Sequence, residues 1–456
     1  MTPKDPRPSV GFFSLGCAKN LVDSEIMAAA ILKAGFCLAP SPDQATVVLV
    51  NTCAFIGDAK TESIQAILEA CQYKKSGGPC KAVIVAGCLP QRYREELQQS
   101  VPEADAFMGV DDLKRLPSVI RQVLTGRRAR AGIPRGPAHA VIEPPRGRPL
   151  FTGSPYAYLK IAEGCNHGCS FCAIPGIRGR YRSRPIRSIV AEAEDLLGRG
   201  IRELNLISQD TTRYGCELSP ATDIAHLIRA LGRIGGRFWI RLLYGHPNHV
   251  SPAMLKAMAD TPQACHYLDL PIQHCHPAVL KAMRRPSSPA RLKQLFKAIR
   301  TVLPDAALRT TCLVGFPGET EAQFQTLLDF ITDVQFQHVC AFAYSPEDHT
   351  AAIQLPHPVP RRTALRRKSR LLAVQQPIAF DLAKTRLGLT DEVLVEKLTP
   401  DQRQWQARSR YLAPDVDGVI RLPAQGTLAP GDFVTATYTR VKGYDWLAEP
   451  TNRRPT

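Results

Sequence analysis

The sequence predicts a multidomain α/β protein in three parts: an N-terminal open parallel α/β domain, a central partial (β/α)6 barrel, and a small C-terminal antiparallel β-barrel. Three observations carry this expectation. Apolar runs of strand length alternate with helical runs in two separate series, which implies right-handed crossovers and parallel sheets. A stretch rich in Arg, Gly and Pro, 126–149, divides the two series and reads as a linker. Beyond residue 386 the pattern changes to short alternating strands, and 456 residues suit about three domains of ~150 residues each.

In the first series Val10–Leu15, Thr46–Val50, Lys81–Ala86 and Ala106–Val110 read as strands. Between and after them Leu21–Ala34, Lys60–Tyr73, Tyr93–Gln98 and Leu113–Leu124 carry apolar residues at helical spacing. The second series has strand candidates Tyr158–Ala162, Glu203–Ile207, Phe238–Leu243, Tyr267–Leu270, Leu308–Val314 and His338–Phe342. Helical runs between them include Ser188–Leu197, Ile224–Leu231, Arg291–Val302 and Glu321–Ile331. Six strand–helix units fall short of the eight that close a full barrel, so an open one is expected. After a basic helix, Arg361–Lys384, come Asp391–Leu398, Trp405–Tyr411, Gly418–Leu422 and Asp432–Arg440, separated by Pro, Gly and Asp. The expected domains are 1–125, 150–386 and 387–456, joined by the 126–149 linker.

Composition narrows the class. Hydrophobic residues make up 44% and charged residues 22%, which excludes a disordered or collagen-like chain. No apolar run approaches ~18 residues, so no membrane span is expected. The start, MTPKDPRPSVGFF, lacks the apolar core of a signal peptide, and a cytoplasmic protein is expected. The net charge of +17 is uneven: residues 1–120 hold 12 Lys/Arg against 13 Asp/Glu, and residues 387–456 hold 9 against 9. The basic excess therefore sits in the middle of the chain.

Fourteen cysteines are many for a reducing compartment, where metal or redox chemistry explains them better than disulfides. Cys165, Cys169 and Cys172 form a C-x3-C-x2-C run directly after the first strand of the second series. Three thiolates on one tight loop can hold three corners of a cubane iron–sulfur cluster and leave the fourth iron open. A structural zinc site has overlapping spacings but needs a fourth ligand, His167 or a distant residue. Cys17, Cys53 and Cys88 each follow a predicted parallel strand, the edge where open α/β sheets bind ligands. The residues alone leave a second three-thiolate cluster and three unrelated cysteines both open.

The Cys165–Cys172 motif resembles the one that defines radical S-adenosylmethionine (SAM) enzymes, which share the partial barrel. The resemblance implies that SAM binds the open iron and is split by an electron into methionine and a radical able to take hydrogen from an unactivated carbon. Gly16–Glu25 (GCAKNLVDSE), Asn51–Ile56 (NTCAFI) and Gly87–Tyr93 (GCLPQRY) resemble the amino-terminal domain of the methylthiotransferases. In that family three such cysteines hold an auxiliary [4Fe–4S] cluster, so two clusters are implied here. Tyr438–Asp445 resembles a TRAM domain, and the likeness then spans nearly the whole chain.

Two branches of that family differ in target: one modifies a tRNA adenosine, and the other, the RimO branch, the β-carbon of an aspartate in protein twelve of the small ribosomal subunit. GCAKN at Gly16–Asn20, AIPGIRGRYRSRP at Ala173–Pro185, NLISQDTTRYG at Asn205–Gly215, RLLYGHP at Arg241–Pro247, LDLPIQH at Leu268–His274 and RTTCLVGFPGET at Arg309–Thr320 resemble the RimO branch. The charge map points the same way, because an RNA-gripping module should be basic. The acids Asp391, Glu392, Glu396, Asp415 and Asp417 of the β module are expected to face a basic ribosomal protein.

Gly315, Gly318 and Glu319 resemble the radical SAM segment that lines the adenine site, and Ser208 and Gln209 stand where the family's Gly-Gly-Glu motif would be. Arg178, Arg180, Arg182 and Arg184 alternate after the cluster loop and either meet carboxylates of SAM or target, or form a solvated basic loop. The six basic residues within Arg361–Arg370 read as an exposed helical face, with ribosomal RNA contact an option. Electron transfer implies a flavodoxin or ferredoxin type of donor, and the chemistry needs a sulfur donor. No acid–base residue can be named. Outside the family, a non-catalytic metal-stabilised RNA-binding protein is the alternative.

Overall fold

The computed structural model describes residues 7–75, 77–126, 136–153, 155–424 and 427–451. The chain divides into two compact units, each discontinuous in sequence. The first comprises residues 1–151, 162–184 and 347–350, and the second residues 152–161, 185–346 and 351–456.

The first unit is built on a parallel sheet of five strands: β1 (Ser9–Ser14), β2 (Cys37–Leu38), β3 (Val47–Thr52), β4 (Ala82–Gly87) and β5 (Ala106–Met108), in the order β2-β1-β3-β4-β5. β3 and β4 are buried along their whole lengths, as Val/Ile/Ala-rich strands covered on both faces must be. Helices α1 (Ala18–Lys33), α2 (Gly57–Lys75) and α3 (Cys88–Ser100) supply crossovers, and α4 (Leu116–Leu124) follows the last strand. The start of α1 is polar yet buried, and each polar group has a partner. Asn20 Nδ2 donates to the carbonyls of Leu15 (2.7 Å) and Thr52 (3.1 Å), Ser24 Oγ meets Ser14 Oγ at 2.8 Å, and Glu25 accepts the Phe151 N–H at 2.8 Å. Of the Arg/Gly/Pro-rich stretch, 126 and 136–149 are among the described residues and 127–135 lie outside them. In it Ala138 and Arg148 are buried, the latter paired with Glu25. Residues 162–184 add the paired strands Ala162–Glu163 and Arg182–Ser183 and the short helix Ile174–Arg178.

The second unit holds an open sheet of six parallel strands, in chain order from Tyr156–Lys160 at one edge through Glu203–Ile207, Trp239–Leu242, Ala264–Asp269 and Ala307–Val314 to His338–Ala343 at the other. Six strands without closure make the expected partial barrel. The 24-residue helix Arg361–Lys384 packs on the last two strands. A closed five-stranded barrel follows, formed by Thr390–Leu398, Gln404–Ser409, Ile420–Pro423, Phe433–Lys442 and Asp445–Pro450. Its neighbours pair antiparallel except Ile420–Pro423 with Asp445–Pro450, which run parallel.

The loop 411–417 of this small barrel reaches polar groups of the six-stranded sheet. Asp415 accepts from the hydroxyls of Tyr156 (2.7 Å) and Tyr158 (3.0 Å), and Asp417 from Tyr267 (2.7 Å) and Arg309 (2.6 Å). Glu392 takes the indole N–H of Trp239 at 3.1 Å, Glu396 takes Arg408 at 2.7 Å, and Asp391 pairs with Arg386. All five acids expected to face a basic protein therefore have partners inside this unit, Asp415 alone staying exposed. The expectation failed because the charge of a carboxylate is legible in sequence whereas its partner is not. No helix among the described residues is long and apolar enough to cross a membrane.

Candidate iron–sulfur centre

Strand register brings the first cysteine set together. β1, β3 and β4 are neighbours, with Ser14 opposite Asn51 and Thr52 opposite Gly87. Cys53 and Cys88 leave directly from the ends of β3 and β4, and Cys17 caps α1 three residues past β1. The turns allow little else: a Cβ on Gly16 (φ +85°) would lie 2.6 Å from Cys53 Cβ and 2.9 Å from its sulfur. Gly87 (φ +99°) passes the Thr52 carbonyl as closely, at 2.7 Å from where its Cβ would be. Ser63 holds the Cys53 backbone at both ends, accepting its N–H at 3.0 Å and donating to its carbonyl at 2.9 Å. Arg92, one turn after Cys88, donates to the Ala54 carbonyl at 2.6 Å and to Glu347 at 3.1 Å, and Lys60 meets the same carboxylate at 2.9 Å.

The three thiols act on one another electrostatically. Burial raises the Cys53 thiol, and charge on Cys17 raises it further. Burial pushes Cys88 up to about 12, with Cys53 and Cys17 adding to the rise and Arg178 pulling against it. Three soft donors crowded at one sheet edge, none in a disulfide, suit a shared metal centre that binds them as thiolates and displaces their protons. Cys71 and Cys80 are buried in the core of the same unit, away from this edge in sequence and topology.

Cys165, Cys169 and Cys172 lie in the same compact unit, half-buried on the loop after Ala162–Glu163. That loop is closed by backbone bonds. The Cys165 N–H reaches the Gly179 carbonyl at 3.0 Å, Cys172 N–H the Cys169 carbonyl at 3.2 Å, and Tyr181 N–H the Asn166 side chain at 2.9 Å. The His167 N–H points at Cys165 Sγ, 3.4 Å away, the kind of donor that supports a metal-bound sulfur. Gly164 (φ +83°) is required, because a Cβ would lie 2.1 Å from the Arg180 carbonyl oxygen. These residues fit a three-cysteine iron–sulfur site as well as the first set does.

Three of the four alternating arginines are wholly or partly buried. Arg178 and Arg184 are buried, and Arg182 donates to the carbonyls of Ala140 (3.1 Å) and Arg178 (3.0 Å). Only Arg180 is exposed. Arg178 reaches Asp23, Glu163, Asn20 and Cys88, a constellation that sequence spacing did not reveal.

In the second unit Ser208 and Gln209 follow the carboxyl end of Glu203–Ile207, and Gly315, Gly318 and Glu319 follow that of Ala307–Val314. The turn after the latter strand is internally braced. Glu319 accepts the N–H groups of Gly315 and Phe316 (3.0 Å) and lies 3.2 Å from Arg367. Burial pushes the Glu319 carboxyl up to about 7, with Arg367 and the two N–H groups pulling down. Arg367 itself is buried, also donating to the Glu319 carbonyl at 3.0 Å, so the basic run of the long helix is not wholly an exposed face.

Comparisons with known proteins agree with this layout. A family model described as Radical SAM superfamily matches residues 159–331, one described as Uncharacterized protein family UPF0004 matches residues 9–109, and a TRAM domain model matches residues 387–450. A protein of Desulforamulus reducens named ribosomal protein uS12 methylthiotransferase RimO is 42% identical over 97% of this chain and 99% of its own length. One of the same name from Synechococcus sp. (strain JA-2-3B'a(2-13)) is 44% identical over 97% of this chain and 91% of its own. Among solved structures, the radical SAM methyltransferase TsrM from Kitasatospora setae superposes with a TM-score of 0.54 at 14% identity, covering 73% of this chain and 72% of that one. The cobalamin-dependent radical SAM enzyme OxsB gives 0.53 at 12%, covering 81% and 56%. Those two likenesses concern the fold.

Proposed function

This chain belongs to the RimO family of radical SAM methylthiotransferases, and from that premise we propose that it adds a methylthio group to the β-carbon of an aspartate in protein uS12 of the small ribosomal subunit. The observation that carries the reading is the presence of two complete three-cysteine sets in one compact unit. Cys165, Cys169 and Cys172 hold the SAM-cleaving [4Fe–4S] cluster, and Cys17, Cys53 and Cys88 a second one that carries the sulfur. When bound, SAM and an open-iron cluster supply reductive cleavage of SAM and removal of hydrogen from an unactivated carbon. The chain's own residues keep each loop in the shape that three iron ligands need. Gly164 and Gly179 close the first loop, and Gly16, Ser63 and Arg92 fix the approach of Cys17 and Cys53. Ser208, Gln209, Gly315, Gly318 and Glu319 are the proposed SAM-contacting positions, Glu319 also bracing the turn at Gly315 and Phe316.

The choice of uS12 over tRNA rests on the relatives' names and no longer on the charge of the small barrel. The exposed charges among that barrel's described residues are Lys397, Arg403, Arg440 and Lys442 against Asp401, Asp415 and Glu449. The exposed pair Arg440 and Lys442, on one strand, is where the barrel would meet ribosomal RNA beside uS12. The enzyme would work in the cytoplasm with a flavodoxin or ferredoxin type of electron donor and a sulfur donor. The deciding experiment is anaerobic incubation of reconstituted protein with SAM, reductant and sulfide, offering small-subunit proteins and bulk tRNA in parallel. Mass spectrometry should find a methylthio gain on one aspartyl peptide of uS12. A gain on an adenosine instead overturns the target.

A further inference from the structure

Arg178 stands six residues after Cys172, on the segment that closes the first cysteine loop, yet its guanidinium is directed at the other cysteine set. It is 2% exposed. Nη1 donates to Asp23 Oδ2 at 2.7 Å and to Glu163 Oε2 at 3.3 Å, and Nη2 to Asn20 Oδ1 at 3.0 Å and to Cys88 Sγ at 3.3 Å. Two carboxylates already neutralise this cation. A purely structural arginine needs no sulfur partner, and the planar fork nevertheless places one nitrogen on Cys88.

The backbone on both sides of Arg178 is fixed. Ala138 N–H bonds the Ile177 carbonyl at 3.0 Å, and Gly179 (φ +73°) lies so close to Ala138 that a Cβ would sit 2.0 Å from its oxygen. The Gly179 carbonyl takes the Cys165 N–H, so the position of the guanidinium and the shape of the first loop are set together. At the other end Asn20 ties Arg178 to the Leu15 and Thr52 carbonyls, one residue short of the Gly16 turn and one short of Cys53.

We propose that Arg178 is a positioning residue for the iron centre at Cys17, Cys53 and Cys88, orienting Cys88 and raising the reduction potential of that centre through a charged N–H···S bond delivered from the loop of the first. The proposal rests on the two-cluster reading above. Its physical basis is that hydrogen bonds to sulfur and net charge near a buried cluster set the potential, and an added cation stabilises the reduced form.

The test uses the full chain with Cys165, Cys169 and Cys172 replaced by Ala, reconstituted with iron and sulfide, so that iron reports on the second set alone. Iron content, EPR spectrum and redox titration are then compared among three additional substitutions. Arg178→Gln should shift the potential to more negative values and Arg178→Lys, which keeps the charge and loses the fork, by less. Asp23→Asn, which leaves the Arg178–Cys88 bond and removes a nearby negative charge, should shift it the opposite way. Arg178→Lys guards against misfolding in the Gln variant, with circular dichroism as control. Iron retained with an unchanged potential and spectrum in both Arg178 variants overturns the proposal while leaving two clusters standing. A triple-Ala background that binds no iron overturns the two-cluster reading and the proposal with it.

Discussion

Arg408 of the small barrel donates to Glu203, the first residue of a strand in the six-stranded sheet, at 2.6 Å, and both side chains are buried. Glu203 also takes Arg241 Nε at 2.7 Å, and Arg408 gives its own Nε to Glu396 at 2.7 Å. Breaking a buried pair leaves an uncompensated charge, so Glu203→Ala should cost about 3–5 kcal/mol, read by urea unfolding. Burial alone would raise the Glu203 carboxyl, but Arg241 and Arg408 hold it below its ordinary value of 4.5. Its contribution is therefore present above that value and lost as the pH falls through the lowered one. An acid titration of wild type that shows no loss beyond that of Glu203→Ala would count against the pair.

The glycines beside the cysteines permit a selective disruption. Gly164→Ala sets a methyl 2.1 Å from a backbone oxygen at a left-handed φ, a strain on the order of 1–3 kcal/mol before any clash is relieved. Iron should be lost from the Cys165 set and SAM cleavage with it, while the other centre keeps its iron. Gly16→Ala crowds Cys53 and should do the reverse, leaving SAM cleavage and removing methylthio transfer. Iron analysis together with 5′-deoxyadenosine release distinguishes the two patterns.

Glu319 gives an opposite pH signature from Glu203. Its carboxyl is raised by burial to about 7, from an ordinary value of 4.5. The folded state then binds a proton more tightly than the unfolded chain, so this contribution is complete below 4.5 and declines as the pH rises through 7. Between those limits wild type should lose stability relative to Glu319→Gln. Parallel stability curves for the two proteins across that range would refute the assignment.

Arg440→Glu with Lys442→Glu should weaken association with small ribosomal subunits and flatten its salt dependence, since each phosphate contact contributes to the slope. SAM cleavage should be unaffected. Sedimentation of the enzyme with subunits at several salt concentrations measures this, and an unchanged slope removes RNA from that face.

Much of this architecture is legible from periodicity. Glu203–Ile207 and Arg361–Lys384 match the expected bounds, and the cysteines at strand ends follow from knowing where parallel strands stop. The fifth strand of the small barrel, Asp445–Pro450, has a single tryptophan and a terminal proline in place of clean alternation, and only its pairing with Phe433–Lys442 reveals it. Arg178 escapes for a different reason. Spacing by two implies one face only along an extended strand, whereas here a helix ends at Arg178 and Gly179 turns left-handed. The acids of the small barrel show the same limit, because a long-range partner leaves no local trace.

The first unit gathers residues 162–184 and 347–350 to a sheet made from the first 151 residues. A ribosome releases the chain amino end first, at ~5–20 residues per second, so about 10–40 s separate the end of that first stretch from the arrival of Glu347. During that interval Asp23 and Cys88 wait for Arg178, and Arg92 and Lys60 wait longer for Glu347. The sheet bearing Cys17, Cys53 and Cys88 is thus translated first yet lacks its last partners until Glu347 is made, so these thiols have their full surroundings only once most of the chain has left the ribosome.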